Sequence, residues 1–304
     1  MEEIEMRPTS IHTYEDREEE QKIALVTGGN SGMGKATVAA LADKGYTVIL
    51  VCRNKDRGEA ALSELMSVEN RDIRLMQCDL GNMEDIRRFT EQFKYFYPTL
   101  DVLVNNAGVI TLDRRTTQDG LEEQFGVNHI GHFLLTLRLL DRMKRGSRIV
   151  VVASGAHKIG RIYLDDYNLE KGLGVTHVLR AYGQSKLANI LFTRELAERL
   201  RSRGITVNCC HPGAVATSMG VDRETGFGKS ITGLLKPLFQ TPEKGAETAI
   251  YLATSPKIAR ITGKYFYRCK MARTSKSAKS RKLAKQLFEL SEAITGESFE
   301  EVIR

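Results

Sequence analysis

Short runs of aliphatic and β-branched residues alternate with longer amphipathic segments along most of the chain. The longer segments, such as GKATVAALADKG and DIRRFTEQFKYF, repeat their apolar residues at helical spacing. The short runs are continuously apolar, as is typical of a parallel sheet that helices cover on both faces. They predict seven strands, at 22–27, 46–52, 73–78, 100–105, 147–154, 205–210 and 264–267. The pattern therefore predicts an α/β fold, a doubly wound parallel sheet of about seven strands.

This alternation runs without a break from residue 22 to residue 267, and no Pro/Gly/Ser-rich linker divides it. We therefore predict a single domain over 22–267, although 304 residues would allow two. Residues 1–21 hold eight acidic and two basic side chains and are predicted to be a disordered tail. Residues 268–304 are predicted to form a basic segment and an amphipathic helix, whose apolar face carries Leu283, Leu287, Leu290 and Ile294.

Composition narrows the classes of protein to consider. With 41% hydrophobic and 27% charged residues, the chain can bury a large core, which excludes a disordered or fibrous protein. The five cysteines show neither zinc-site spacing nor the density of a disulfide scaffold, so we expect buried, reduced thiols and no metal site. The acidic N-terminus lacks the apolar stretch of a signal peptide, and no run approaches the about 20 apolar residues of a membrane span. We therefore expect a cytoplasmic protein.

The net charge of +7 is unevenly distributed. It divides into −6 for residues 1–21, +8 for 22–263, +9 for 264–285 and −4 for 286–304. The basic stretch leaves two interpretations open, a solvated loop before a docking helix and a peripheral contact with a membrane or a subunit. Nucleic acid binding is disfavoured because no recognition module and no interleaved aromatic residues accompany the charge. The remaining excess suits a groove for a polyanionic cofactor.

A glycine-rich turn, TGGNSGMGKA, follows the first predicted strand. Small residues let the backbone approach a pyrophosphate, and the free N–H groups of the following helix stabilise its charge. The strand before the turn and the helix after it favour dinucleotide binding by Gly28, Asn30, Ser31, Gly32, Met33 and Gly34. The stretch nearly matches a P-loop, but Ala36 stands where that motif needs the Ser or Thr that binds Mg²⁺.

The T-G-x-x-x-G-x-G spacing and the motifs after it resemble the short-chain dehydrogenase/reductase family over residues 22–267. A gap of 28 residues between Ser154 and Tyr182, the S-x-A-H sequence and the SKLANILFT run are similar to the retinol-dehydrogenase-like subgroup. The resemblance implies a Rossmann fold and a nicotinamide dinucleotide. The matching motifs are Asp79 in CDL, Asn105 to Gly108 in NNAG, Asn128 in VNHIGHF, Ser154 in VVASGAH, Tyr182 and Lys186 in YGQSK, and Pro212 and Gly213 in HPG, with Thr217 following.

The chemistry of carbonyl reduction fits four of these residues. Hydride addition needs a proton donor for the forming alkoxide and a second hydrogen bond that polarises the oxygen. Tyr182 and Lys186 lie four residues apart on a predicted helix, so they share a face, and a nearby ammonium lowers the pKa of a phenol. The resemblance implies that Tyr182 is the general acid/base, tuned by Lys186, that Ser154 holds the carbonyl, and that Asn128 holds a water of the proton relay. Taken alone, Ser154 also fits the cap of a turn.

The end of the second predicted strand indicates the form of the cofactor. In VCRNKD, Cys52 stands where an NAD-selective enzyme places a carboxylate, and Arg53 follows it. A cation here suits a 2′-phosphate, so we predict NADP(H) in preference to NAD(H). Beyond the glycine turn, the implied cofactor contacts are Arg53, Asn54, Asp79, Leu80, Asn106, Ala107, Gly108, Tyr182, Lys186, Pro212, Gly213, Val215 and Thr217.

The segment after Gly213 corresponds to the variable lid of the family and is rich in apolar residues. These are Phe227, Leu234, Leu235, Leu238 and Phe239, to which the long insert before Tyr182 adds Ile159, Ile162 and Tyr163. They either line a pocket for a lipophilic, retinoid-like or steroid-like substrate or pack the lid on the body. His157 is interpreted as a structural histidine.

Together these features predict an NADP(H)-dependent oxidoreductase that interconverts a small-molecule carbonyl and an alcohol. The alternative is a dinucleotide-binding regulatory or scaffold protein of the same fold, which the presence of Ser154, Tyr182 and Lys186 disfavours. An epimerase or dehydratase of nucleotide sugars is disfavoured by the glycine spacing and the lack of a large C-terminal domain. Family habit predicts a homodimer or homotetramer through a four-helix interface built from 116–144 and 180–203.

Overall fold

Each of the seven apolar runs forms a strand in the computed structural model, which describes residues 21–111, 113–171, 176–213 and 240–303. The strands are β1 (Ile23–Thr27), β2 (Thr47–Cys52), β3 (Asp72–Gln77), β4 (Val102–Asn105), β5 (Arg148–Val152), β6 (Thr206–Cys210), β7 (Tyr265–Tyr267) and a short β8 (Lys270–Met271). They form one sheet in the order β3-β2-β1-β4-β5-β6-β7-β8. The order reverses beside β1, which confirms the predicted doubly wound sheet.

The eighth strand is the part of the sheet that the pattern does not predict. β8 pairs antiparallel with β7 across a turn of two residues, Arg268 and Cys269. Both turn residues have positive φ, at 50° and 59°. Hairpin turns of this kind are usually marked by Asn-Gly or another glycine pair. Neither residue type is present here, so the hairpin has no local sequence signal.

Helices cover both faces of the sheet. They are α1 (Gly32–Ala42), α2 (Lys55–Met66), α3 (Met83–Phe96), α4 (Glu123–Phe125), α5 (Gly131–Leu139), α6 (Thr176–Arg199), α7 (Pro242–Thr254), α8 (Arg281–Thr295) and α9 (Phe299–Val302). A π-turn (Gly126–Ile130) joins α4 to α5. Within the described ranges, none of these helices combines the length and the apolarity needed to cross a membrane.

Successive residues of each strand enter two separate cores. Leu25 and Ile49 belong to the core on the side of α3, α5 and α6, whereas Val26 and Leu50 belong to the core beneath α1 and α7. All four side chains are fully buried. Burial on both faces explains why the strands are continuously apolar instead of alternating.

Helix α8 packs against α6 with a face that differs from the predicted one. Its buried residues are Ala284, Leu287, Phe288, Ser291 and Thr295, while Leu283, Leu290 and Ile294 are only partly buried. The two hydroxyl residues tolerate burial because Ser291 Oγ donates to the Leu287 carbonyl and Thr295 Oγ1 donates to the Ser291 carbonyl, both at 2.8 Å. The buried face of α8 is therefore rotated about the helix axis from the face that the apolar residues alone predict.

Candidate active site

The glycine turn after β1 is shaped by backbone constraints. Gly28 and Gly32 have positive φ, at 65° and 51°, which favours glycine. A Cβ on Gly34 would lie 2.1 Å from the Gly28 carbonyl oxygen, so the turn closes only without a side chain there. Ser31 makes no side-chain cap to the first turn of α1. The N–H groups of that turn can therefore serve an anion, as a dinucleotide pyrophosphate requires.

The NNAG segment after β4 is held against this turn. Asn106 and Ala107 donate their backbone N–H groups to Thr27 Oγ1 at 2.9 and 3.0 Å. The Asn106 side chain donates to the Thr27 carbonyl at 2.7 Å. Gly108 follows, and a Cβ there would lie 3.2 Å from Asn128 Oδ1 and 3.4 Å from Lys186 Nζ. Asn128 Oδ1 and Lys186 Nζ therefore both lie close to Gly108.

The end of β2 offers a cation and no carboxylate. Cys52 is buried, whereas Arg53 is exposed and lies near enough to Glu123 for its charge to act on that carboxyl. Asn54 Oδ1 accepts the N–H of Arg57 at 2.9 Å and so caps α2. The local role of Asn54 is therefore a helix cap, whereas Arg53 leaves its guanidinium available to a ligand.

The end of β3 carries two of the implied cofactor contacts, Asp79 and Leu80. Asp79 Oδ1 accepts the N–H of Gly81 at 2.9 Å, which fixes the carboxylate in the turn before α3. Leu80 is buried beneath it. The structure thus brings both residues to the same sheet edge as Arg53.

Ser154 both caps a turn and contacts Tyr182, so it fits both roles that the sequence leaves open for it. Its Oγ accepts the N–H of Ala156 at 3.2 Å, so it caps the short helical turn Gly155–Lys158. The same side chain is hydrogen bonded to Tyr182, and this bond lowers the pKa of the phenol. Burial acts more strongly in the opposite direction, and the pKa of Tyr182 is raised. The pKa direction expected from the Tyr/Lys spacing is therefore not found, because the phenol is desolvated.

Lys186 lies one helical turn after Tyr182 and is almost completely buried. Its ammonium donates to the Val152 carbonyl at 3.3 Å and lies 5.6 Å from the centre of the Tyr182 ring. Burial lowers the pKa of Lys186 to about 8. Asn189, one turn further along α6, donates to the same carbonyl at 3.1 Å. The end of β5 therefore positions the lysine.

Asn128 lies in the π-turn and is fully buried. Its Oδ1 accepts the Val109 N–H at 2.7 Å, and its Nδ2 donates to the Val109 carbonyl at 3.0 Å and to Ser185 Oγ at 3.1 Å. Both side-chain hydrogens are thus used within the protein. The side chain joins Val109, directly after the NNAG segment, to Ser185 of α6, and its Oδ1 lies close to Gly108.

Some predicted residues are placed elsewhere or fall outside the described ranges. His157 is fully buried between the Ser154 carbonyl and the N–H of Ser275, which fits a structural histidine. Pro212 and Gly213 lie at the end of β6, and Gly213 has a φ of 87°. Outside the described residues lie Val215, Thr217, Phe227, Leu234, Leu235, Leu238 and Phe239.

Two buried histidines beside Asn128 were not predicted to take part in the site. His129 Nε2 is 3.0 Å from Ser291 Oγ of α8, and His132 contacts Thr27 and the Asn128 carbonyl. The spacing N-H-x-x-H was present in the sequence, and its second histidine lies one helical turn after Asn128. That spacing alone does not distinguish a site residue from an ordinary core histidine.

Comparison with known proteins gives a consistent result. The model of the short chain dehydrogenase family matches residues 22–226. Human retinol dehydrogenase 14 is 40% identical, with 90% of this chain and 86% of that protein covered. Human retinol dehydrogenase 13 is 39% identical, with 90% and 85% covered.

Solved structures agree with these sequence relatives. An uncharacterized protein from Mycobacterium paratuberculosis is 32% identical with a TM-score of 0.75, covering 92% of this chain and 95% of that one. A blue fluorescent protein from a metagenomic library, in complex with NADPH, is 30% identical with a TM-score of 0.62, covering 81% and 95%. The chain therefore belongs to the short chain dehydrogenase family and is an oxidoreductase that acts on alcohols and carbonyl compounds.

Proposed function

We propose that the protein is an NADP(H)-dependent oxidoreductase that interconverts a lipophilic carbonyl compound and its alcohol, with Tyr182 as general acid/base. The observation that carries this proposal is the hydrogen bond between Ser154 and Tyr182, with the buried Lys186 ammonium 5.6 Å from the phenol ring. Two hydroxyl groups that meet at one point can both hydrogen bond to a single substrate oxygen.

In this mechanism the hydroxyls of Ser154 and Tyr182 donate to the carbonyl oxygen of the substrate. The nicotinamide, when bound, supplies the hydride. As negative charge develops on the substrate oxygen, the phenolic proton of Tyr182 moves to it. The Lys186 ammonium then stabilises the phenolate, and the phenolate in turn favours the charged form of a lysine whose pKa burial has lowered.

Asn128 is placed to help Tyr182 regain its proton from solvent through a bound water. Both hydrogens of Asn128 Nδ2 are already donated within the protein, so a relay water would donate to Oδ1 instead. Oδ1 and Lys186 Nζ both lie close to Gly108, so one water could contact both groups. In this role Asn128 contacts the water and keeps the NNAG segment and α6 at a fixed spacing.

The dinucleotide is proposed to bind along the carboxyl edge of the sheet. The uncapped first turn of α1 and the glycines without room for Cβ atoms suit its pyrophosphate. Arg53 is exposed and its cation suits a 2′-phosphate, and Cys52 replaces the carboxylate at the end of β2 that would repel the phosphate. The NADPH bound to the metagenomic relative supports the same preference.

The cofactor preference is tested by Arg53→Ala. We expect the Michaelis constant for NADPH to rise by roughly 10-fold or more, and the constant for NADH to stay unchanged, because the loss is a charge-assisted bond to the phosphate. Lys55→Ala is the matched control, since Lys55 is an exposed cation two residues away that pairs with Glu59 at 3.8 Å. An unchanged NADPH constant in Arg53→Ala would contradict the preference.

The substrate class follows from the relatives and from the apolar residues of the predicted lid. The sequence relatives are named retinol dehydrogenases, which supports a retinoid-like or other lipophilic substrate. A screen of NADPH oxidation over short, aromatic, steroid and retinoid carbonyls tests this proposal.

The same screen with Tyr182→Phe tests the acid/base role. The loss of the proton donor is expected to lower kcat by roughly 10²–10⁴-fold while dinucleotide binding remains. Tyr97→Phe, a partly buried tyrosine at the end of α3, is the control and should leave kcat unchanged. Full activity in Tyr182→Phe would refute the mechanism.

A further inference from the structure

His132 is a buried residue of α5 that lies between Thr27, before the glycine turn, and Asn128 in the π-turn. Its Nε2 is 2.8 Å from Thr27 Oγ1, and its Nδ1 is 3.1 Å from the backbone carbonyl oxygen of Asn128. Thr27 ends β1 at the glycine turn, whereas Asn128 belongs to the π-turn before α5. A single imidazole therefore contacts both.

The directions of these hydrogen bonds follow from counting donors and acceptors. Thr27 Oγ1 already accepts two backbone N–H groups, from Asn106 and Ala107. Its hydroxyl proton must therefore be donated, and His132 Nε2 at 2.8 Å is a nearer acceptor than the Val104 carbonyl at 3.4 Å. Nε2 then has no proton, so the neutral imidazole carries its proton on Nδ1 and donates it to Asn128.

The surroundings keep this imidazole neutral. Burial, together with a smaller effect of the Lys186 ammonium, lowers the pKa of His132 to about 4, although the hydrogen bond to the Asn128 carbonyl acts in the opposite direction. His129, the other titratable group that interacts with His132, is also buried, and its pKa is lowered to about 3. Neither histidine is charged near neutral pH, so the arrangement of donors stays the same throughout the working range.

We propose that His132 is a positioning residue that fixes the distance between the dinucleotide turn and the π-turn bearing Asn128. The chain of bonds runs from the NNAG backbone through Thr27 and His132 to the Asn128 carbonyl. The catalytic part of this proposal rests on the proposed role of Asn128. The hydrogen bonds of His132 can be measured in the protein without any substrate. Without the hydrogen bond from His132 to the Asn128 carbonyl, the π-turn can shift relative to Thr27. Small displacements of catalytic groups lower the rate of the reaction.

The tautomer is tested in the wild-type protein. In ¹⁵N-histidine-labelled protein, the side-chain nitrogen shifts of His132 should show a proton on Nδ1 and none on Nε2, without titration between pH 6 and pH 9, about two units or more above its pKa. A proton on Nε2, or titration in that range, would overturn the proposal. The result does not depend on any substrate, so it stands apart from a failure of the proposed function.

Three substitutions separate the two bonds. His132→Phe removes both and is expected to lower kcat by roughly 10–100-fold, with little change in the Michaelis constant for the carbonyl. His132→Gln places a carbonyl near the Nε2 position, accepts from Thr27 and should recover part of the rate. Thr27→Val combined with His132→Phe should lose less than the product of the single losses, because both break the same chain. Wild-type kcat in a folded His132→Phe protein would refute the proposal. So would losses in kcat and in dinucleotide affinity that, in the double variant, equal the product of the losses in the two single variants.

A second, independent observation concerns the outer face of α5 and α6. Phe288 of α8 contacts Phe133, Phe192 and Phe299, with ring centres 4.9, 6.2 and 6.2 Å apart. The Arg199 guanidinium lies 4.1 Å from the centre of the Phe288 ring. Together with the hydrogen bond that His129 Nε2 donates to Ser291 Oγ, these contacts cover the segments that sequence analysis assigned to a four-helix subunit interface.

We infer that α8 takes the place that helices of a second copy would occupy, so that this face is closed to self-association. At micromolar concentration the mass in light scattering should be 34.0 kDa, and hydrogen exchange of α6 should not change with concentration. Phe288→Asp should expose the face, speed exchange in α6 and promote self-association, whereas Glu289→Ala on the exposed side of α8 should not. A dimer whose α6 gains protection with concentration would overturn the inference, and so would a Phe288→Asp protein that behaves as wild type.

Discussion

The glycine turn after β1 and the buried cluster around α5, α6 and α8 build their parts of the site in opposite ways. The turn relies on backbone N–H groups and on missing side chains, as at Gly34, where a Cβ would overlap the Gly28 carbonyl. The cluster relies on buried polar side chains, such as His132 and Lys186, each held by a specific partner. The turn should therefore fail when atoms are added, and the cluster when a polar group is changed.

The largest effect is expected from Gly34→Ala. The new Cβ would lie 2.1 Å from the Gly28 carbonyl oxygen and 2.5 Å from Asn106 Nδ2, so the turn must open. We expect dinucleotide affinity to fall by roughly 100-fold or more and the free energy of unfolding to fall by about 1–3 kcal/mol. Fluorescence titration and thermal denaturation measure the two.

Gly155→Ala is the control for that substitution. A Cβ on Gly155 meets only the His211 ring, at 3.9 Å. The control should bind the dinucleotide normally. Equal binding by Gly34→Ala and the wild type would remove the distinction between the two regions.

The next effect concerns the stability cost of the buried ammonium. The pKa of Lys186 is lowered from 10.5 to about 8, so below pH 8 the folded state carries the full penalty of a desolvated charge. As the pH rises from 8 to 10.5, the folded lysine is neutral while the unfolded one is still charged, and the wild type is progressively relieved of the penalty. Lys186→Met should thus be more stable than the wild type at pH 7, by at most about 3 kcal/mol.

This advantage of Lys186→Met should shrink between pH 8 and pH 10.5, the range set by the two pKa values of the lysine. Denaturant unfolding of the dinucleotide-free protein at several pH values measures it. Lys35→Met is the control, since Lys35 is partly exposed and pairs with Glu64 at 2.7 Å. An advantage that does not depend on pH would show that the lysine is not destabilised by burial.

The smallest effect is expected from Gly108→Ala, which adds an atom to the cluster instead of the turn. The Cβ would lie 3.2 Å from Asn128 Oδ1 and 3.4 Å from Lys186 Nζ, so a shift of a few tenths of an ångström relieves both contacts. We expect kcat to fall roughly tenfold, or about 1.4 kcal/mol, because the Cβ occupies the space assigned to the relay water. Solvent isotope effects on kcat should rise as well. A kcat equal to that of the wild type would place the relay elsewhere.

How far the sequence predicts the site depends on what each part is made of. The glycine turn and the residue types at the ends of β3, β4 and β5 are local features, and the strand and helix pattern puts them on one sheet edge. The part that His132 and His129 play depends on partners more than 100 residues away, Thr27 and Ser291. No periodicity along α5 reveals those partners.

Electrostatics and burial show the same limit. The Tyr182 and Lys186 spacing predicts that the two side chains share a helical face, as they do. The direction of the pKa change of Tyr182 depends on how much water is excluded around the phenol, which only the packed structure determines. In the same way, Ser291 and Thr295 are buried in α8 because each finds a carbonyl one turn earlier.

The sequence by itself determined seven of the eight strands, the doubly wound sheet and the chemistry available at its carboxyl edge, because hydrophobic periodicity and short motifs are local properties. Tertiary structure decided which polar residues become partners, which face of α8 is buried and how Ser154 can both cap a turn and bond to Tyr182. These outcomes depend on distances between segments far apart in the chain. Folding sets those distances through the packing of the two cores, and no single segment encodes them.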